Sequence, residues 1–339
     1  MLIILQSILW SIFGVIIYRE GIVSANISKF LGRFLYWLGV PLQIFFLARK
    51  SNFEQIVWLP PIVTVLVLLL GLALVLFVLR LLQRAFLSDR PKLLSPAQLK
   101  VQSVAGESAL VIWKKVDLGS LVPTKNVGVG SFILASILGN TGFIGLALIP
   151  PFVEPNYWSW LVLYGVAHNV LGSYGLGVLV ADHYSHSKRQ NNWLDRLQSL
   201  LLLPSLWAFA YGYVCQNLTL PALLETVISK MVLLVVPGAF ILIGMQLSKL
   251  QQWQNLRVGI FPAIFKMLIL PGITGLLLTC FGLEGDGRLV LVLMSSMPTA
   301  FASIILAEAY NLDRNVTASS ILLSTLFLPV AFFLWLTIF

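Results

Sequence analysis

Apolar runs of about 20 residues alternate along this chain with short polar connections. A membrane-crossing helix needs roughly 20 mainly apolar residues. By that measure the runs at 2–18, 31–47, 57–82, 129–150, 157–181, 197–214, 221–247, 257–281, 288–310 and 315–338 predict ten spans. Two of them are poor helices. In the fourth, Leu138-Gly139-Asn140-Thr141-Gly142-Phe143-Ile144-Gly145 sets a glycine at every third position and a polar Asn-Thr pair beside the first. In the ninth, Ser295-Ser296-Met297-Pro298-Thr299-Ala300 interrupts the run. Glycine is about 1 kcal/mol worse than alanine in a helix interior, and Asn and Thr side chains compete for backbone hydrogen bonds. Freed backbone groups at membrane depth are tolerated only where protein or a water-filled cavity satisfies them. Two interrupted spans in corresponding places of the two halves therefore mark a candidate substrate site.

The halves resemble each other weakly. Leu38-Gly39-Val40-Pro41-Leu42-Gln43-Ile44-Phe45 in the second span parallels Val235-Val236-Pro237-Gly238-Ala239-Phe240 in the seventh, and the broken fourth parallels the broken ninth. Five spans per half is an odd number, so the second half would sit upside down relative to the first. The predicted fold is an all-α polytopic membrane protein. Residues 1–181 form a first five-helix repeat and 197–339 a second, inverted one, with the broken helices crossed near the midplane. The connection at about 83–128, with Pro91, Pro96 and mixed charges, is expected to be a solvated linker, within which Val101 to Val116 could form a short surface helix.

Composition agrees with a membrane setting. The 339 residues are 58% hydrophobic and only 10% charged, with a mean hydropathy of +0.92, against about 25% charged in ordinary soluble chains. The net charge of +9 comes with no dense basic tract interleaved with aromatics, so nucleic acid is not an expected partner. Instead the basic residues sit between apolar runs. Arg19, Lys29, Arg33, Lys188, Arg189, Arg196, Lys249, Arg257 and Arg314 fall on one face, and Arg49, Lys50, Lys230 and Arg288 on the other. The first face also receives Arg84, Arg90, Lys92, Lys100, Lys114, Lys115 and Lys125 from the long connection, which makes it cytoplasmic and both termini non-cytoplasmic, in a plasma or inner membrane. Residues 1–18 lack a basic start and an Ala-x-Ala cleavage site, and are expected to be a first span, not a removable signal. Cys215 and Cys280 offer neither a disulfide framework nor a metal site.

Lys266 lies nine residues into the eighth span, about 13.5 Å along it at 1.5 Å per residue. That is near the middle of a core roughly 30 Å thick, where an ionisable side chain faces a cavity or a partner. It could balance an anionic substrate, stand in for a coupling ion, or tie the carbonyls of a broken helix. His168, beside Asn169 in the fifth span, is a candidate proton relay or a hydrogen-bonded packing residue. Glu225 could pair with Lys230 at a membrane boundary, and Glu308, Asp313 and Arg314 read as boundary charges. The substrate-binding residues expected at the breaks are Asn140, Thr141, Gly142, Met297, Pro298 and Thr299, together with Lys266. Close packing through Gly139, Gly142 and Gly145 alone would require neither Asn140-Thr141 nor Pro298 between Met297 and Thr299. Helix starts inside a bundle present free N–H groups and positive dipole ends, which suit carboxylates. There is no nucleotide-binding G-x-x-x-x-G-K-[ST] loop and no H-E-x-x-H motif, so neither a nucleotide-driven pump nor a metalloprotease is expected. No cofactor is expected.

Gly139-Asn140-Thr141-Gly142-Phe143-Ile144-Gly145, the Lys266 and Pro271 pair, Met297-Pro298-Thr299-Ala300, Ala307-Glu308-Ala309-Tyr310 and Ser324-Thr325 together resemble the auxin efflux carrier family. This is the membrane-transport permease group that includes plant PIN-type exporters and many bacterial permeases. The resemblance is strongest from Val127 to Pro151 and from Val258 to Phe327. It implies ten spans in two inverted repeats, spans one, two, six and seven forming a scaffold and the rest a moving transport domain. The crossed helices would hold a small organic anion and carry it by an elevator-like shift coupled to protons or sodium, in a protein that forms a homodimer. Plant exporters are Asn-Pro-rich at the first crossing, where this chain has Asn140-Thr141-Gly142, so a bacterial-type carboxylate permease is implied and auxin specificity is not. The competing expectation is a channel or membrane-embedded sensor that binds a ligand without moving it.

Overall fold

The computed structural model describes residues 2–51, 53, 57–88, 123, 125–185, 198, 201–216, 218–249 and 256–339. Most of the long connection, including the Val101 to Val116 segment and Arg90, Lys92, Lys100, Lys114 and Lys115, lies outside the described residues, as do Lys188, Arg189 and Arg196. Among the described residues the chain is all-helical. It runs α1 Leu2–Arg19, α2 Ala25–Lys50, α3 Leu59–Ser88, α4 Asn126–Ile137, α5 Thr141–Phe152, α6 Pro155–Tyr184, α7 Pro204–Val214, α8 Ala222–Lys249, α9 Arg257–Cys280, α10 Gly285–Ser295, α11 Phe301–Ala309 and α12 Arg314–Ile338.

Six stretches are each long and apolar enough to cross a membrane: Ala25–Lys50, Leu59–Leu81, Pro155–Tyr184, Ala222–Ser248, Arg257–Cys280 and Arg314–Ile338. The interrupted runs do not count among them because each is split. The pieces α4 (12 residues), α10 (11 residues) and α11 (9 residues) are too short to cross a bilayer alone at 1.5 Å per residue.

Proline shapes two of the long helices. An interior proline has no N–H for the carbonyl four residues back, and the turn before it widens to accommodate the ring. Leu35–Gly39 precedes Pro41 and Phe265–Ile269 precedes Pro271, both as π turns. The carbonyl that Pro271 leaves unpaired belongs to Met267, and it accepts the indole N–H of Trp335 at 2.9 Å. The bulge in α9 is thereby tied to α12.

The helices pack in two groups. In the first, α1 lies on α8 and α2 on α7. Their backbones touch at glycines: a Cβ on Gly244 would stand 2.0 Å from the carbonyl oxygen of Ser11, and one on Gly212 2.8 Å from that of Phe45. In the second, α4 packs on α3, α6, α9 and α12, and α9 packs closely on α12. There Gly259 lets α9 approach the Ser319–Ser320 backbone. With no water to expel between helices in lipid, such close contacts and hydrogen bonds drive association. The second group holds most of the fully buried apolar side chains, among them Phe132, Leu134, Phe265, Val290 and Phe332. Leu66, Phe77, Leu233, Leu234 and Phe281 are exposed on the outer surface.

Charges gather at the ends. At one end Asp313 N–H donates to the Val127 carbonyl (3.4 Å) and Ser185 Oγ to that of Tyr310 (2.8 Å). Glu308 and Arg314 pair there at 2.7 Å, and Asp313 caps α12 by accepting from Asn315 N–H. At the other end Glu225 pairs with Arg49 (3.3 Å) and Lys50 (3.8 Å), not with Lys230. Glu225 and Lys230 are five apart on α8, a spacing that points side chains in different directions, whereas three or four brings them together. Cys215 and Cys280 are both free thiols.

Candidate functional site

Two helices stop and restart where they cross. α4 ends at Ile137 and α10 at Ser295, and the chain is extended at Leu138 and at Ala300 before α5 and α11 begin. The two short segments pair antiparallel across Gly139 and Thr299. Asn140 N–H donates to the Pro298 carbonyl (2.7 Å) and Ala300 N–H to the Leu138 carbonyl (2.9 Å). An exposed backbone in lipid would forfeit these bonds, so each interruption satisfies the other.

Several further groups at the crossing are paired through side chains. Thr299 Oγ1 donates to the Ala135 carbonyl in the last turn of α4 (2.9 Å). Thr299 N–H donates to Ser324 Oγ of α12 (3.1 Å), which itself donates to the Ser320 carbonyl (2.6 Å). Gly139 N–H donates to His168 Nε2 of α6 (3.3 Å). Lys266 Nζ of α9 donates to the Ser295 carbonyl at the end of α10 (2.6 Å). Glycine at 139 leaves room for the lysine: a Cβ there would meet Lys266 Cε at 2.9 Å, Lys266 Nζ at 3.0 Å and the Met297 carbonyl oxygen at 3.3 Å. Lys266 is 1% exposed, and among the described residues no carboxylate pairs with it.

A cavity of about 260 Å³ lies against this crossing. Its wall includes Asn140, Thr141, Gly142 and Phe143 at the start of α5 and Ala300, Phe301 and Ala302 at the start of α11. Both restarting helices thus turn their N-terminal ends, with N–H groups that have no acceptor within the helix, toward one space. Asn169, Ser173 and Tyr174 of α6, Tyr36 and Val40 of α2, and Leu203–Ser205 before and into α7 complete much of the wall. Among the described residues that line it there is no lysine, arginine, aspartate or glutamate.

Asn140 is the N-cap of α5: its Oδ1 accepts the N–H of Phe143 at 3.2 Å, as a helix start requires. Its Nδ2, and the Oγ1 of Thr141, are buried without a hydrogen-bond partner among the described residues. Buried polar atoms are ordinarily paired; these two, both from cavity-lining residues, are exceptions. Tyr36 and Tyr174 join hydroxyls across the cavity wall at 2.9 Å, linking α2 to α6.

Of the residues singled out in the sequence, Asn140, Thr141 and Gly142 line the cavity, while Met297, Pro298, Thr299, Lys266 and His168 do not. The latter five build the crossing from behind. Asn169, Ser173, Tyr174 and Tyr36 were not foreseen as lining residues. Asn169 and Ser173 lie four apart in an apolar run, a spacing that puts both polar groups on one helix face, and that signal was present. Tyr36 has no local mark to separate it from any aromatic near a membrane boundary.

Residues 199–336 match the family described as membrane transport protein. A protein of Methanocaldococcus jannaschii named as an uncharacterized transporter is 26% identical over 215 residues, 62% of this chain and 68% of that protein.

Proposed function

We propose that this chain, an auxin-efflux-carrier-like membrane transport protein, is a secondary carrier for a small organic anion bound at the crossing. The observation that carries the proposal is the cavity into which two helix N-termini converge beside the unpartnered Asn140 Nδ2 and Thr141 Oγ1. Donors and positive dipole ends without a counter-charge in the wall suit a carboxylate. Lys266, buried directly behind Gly139 with a single carbonyl acceptor, adds an ionisable amine to the same place. The apolar part of the wall, including Val40, Phe143, Val178 and Leu306, suits a ligand with an apolar body. The volume sits just below the roughly 300–1,000 Å³ of drug-sized sites, which favours a small one.

In this proposal α4 with α5 makes one crossing and α10 with α11 another. Together with α1, α2, α3, α6, α8, α9, α12 and the apolar run 197–214, of which α7 is part, they give ten crossings in two inverted repeats, residues 1–181 and 197–339. The group α1, α2, α7 and α8 is the scaffold, and the crossing moves with the other helices relative to it, coupled to a proton or sodium gradient. Both termini lie on the non-cytoplasmic side, because Arg19, Lys29, Arg33, Arg257 and Arg314 fall at the opposite, cytoplasmic end.

Purified protein in liposomes should accumulate radiolabelled small carboxylates and exchange them across the membrane. Asn140→Asp keeps an N-cap acceptor for Phe143 N–H but replaces the Nδ2 donors with negative charge. Uptake by this variant should fall at least tenfold with the melting temperature preserved. Saturable binding with no uptake by the wild type would overturn carriage in favour of a sensor, and conductance far above carrier turnover would favour a channel.

A further inference from the structure

A second, larger cavity of about 580 Å³ adjoins the first, sharing Tyr36, Phe143, Phe301 and Ile305 with it. Its wall carries Lys29 and Arg33 of α2, which lie four apart and so on one helix face. Ser28, Gly32 and Tyr36 continue that face, while Ile27, Phe30 and Phe34 of the same helix are exposed away from it. Among the described residues no carboxylate pairs with Lys29 or Arg33. Glu308 is the one acidic residue in the wall, and it is paired with Arg314 at 2.7 Å. Among the described residues the cavity therefore holds two basic side chains without an acidic partner, and its shared residues lead straight to the cavity at the crossing.

We propose that this second cavity is an anion-capture vestibule, in which Lys29 and Arg33 draw the carboxylate in from their end of the molecule and hand it past Tyr36 to the crossing. The proposal rests on the carrier reading for its cargo, but the capture of anions by Lys29 and Arg33 can be measured without knowing the substrate. Like-signed charges in a confined cleft focus the field and raise local counter-ion concentration by roughly 10- to 1,000-fold. Phe30 and Phe34, exposed beside the basic pair, raise the one competing source of the same chemistry, an anionic lipid headgroup.

The test places a reporter thiol in the passage. Ile305→Cys, in a background with Cys215→Ser and Cys280→Ser, is treated in neutral detergent with an anionic and with a cationic methanethiosulfonate of similar size. The anionic reagent should react at least tenfold faster relative to its rate with a free thiol, and 0.5 M salt should shrink the difference. Lys29→Gln with Arg33→Gln should abolish the preference. In liposomes, the preference should persist in both phosphatidylcholine and phosphatidylglycerol. An equal rate for the two reagents, or a preference that survives the double substitution, overturns the vestibule. A preference lost only in phosphatidylglycerol assigns the basic pair to lipid and also overturns it. In uptake assays the same double variant should raise KM about tenfold for loading from this end while leaving kcat near its wild-type value. Failure of uptake by the wild type with the reagent preference intact would count against the carrier and not against the vestibule.

Discussion

At the level of single residues, the division of labour at the crossing is between those that face the cavity and those that hold it up. Asn140 does both, with one side-chain oxygen on the helix start and one nitrogen left open. Lys266 is on the supporting side: it tethers the end of α10 and fills the space that Gly139 leaves. An isolated ammonium in a buried site is costly, and exchanging a buried charge for a packed apolar side chain is often neutral or stabilising. Lys266→Met should therefore leave the melting temperature within a few degrees of wild type while uptake falls at least tenfold, because Ser295 loses its donor and the site its ionisable amine. Unchanged uptake would remove Lys266 from the mechanism. Gly139→Ala should be worse on both measures. The new methyl group meets the Met297 carbonyl as well as the lysine stem, and the backbone cannot swing aside.

At the level of elements, α1 is held to α8 by backbone contact rather than by interlocking side chains. A Cβ on Gly14 would stand 2.2 Å from the Ile241 carbonyl oxygen, and one on Gly244 2.0 Å from that of Ser11. Gly244→Ala should push the two helices apart and cost about 1–3 kcal/mol, the usual penalty of overpacking, read as a lowered melting temperature and loss of monodisperse protein. Gly238→Ala on the same helix is the control: its nearest neighbour would be a Leu35 methyl at 3.5 Å, an ordinary contact, and stability should change little. Equal effects at the two positions would mean that helix propensity, and not the α1–α8 contact, sets the cost.

For the molecule as a whole, the two helix groups pack on each other through α2 and α8, and among the described residues two side-chain hydrogen bonds join them beside the crossing. Gln43 of α2, 3% exposed, donates to the Leu146 carbonyl of α5 at 2.7 Å, and Tyr36 of α2 meets Tyr174 of α6. If the groups move against each other, these two links must break and re-form in each cycle. Bridging Tyr36→Cys and Tyr174→Cys with a short bifunctional thiol reagent, with Cys215 and Cys280 replaced by Ser, should stop uptake while ligand binding persists. Undiminished uptake by the bridged protein would exclude relative motion of α2 and α6. Gln43→Leu removes the other link without adding bulk, and should alter turnover more than affinity.

The sequence alone determined that this is a multi-pass helical membrane protein with interruptions within residues 138–145 and 295–300, because hydropathy, glycine spacing and proline are local properties whose consequences in lipid are severe. The pairing of Glu225 was misjudged from the sequence because its partners, Arg49 and Lys50, arrive from a distant helix. For the same reason only the fold could decide that Asn140 and Thr141 open onto a cavity while Met297, Pro298, Thr299, His168 and Lys266 brace it from behind. An interruption in a helix announces unsatisfied backbone, but which face of it meets empty space and which meets a neighbouring side chain depends on how separate helices come to lie together.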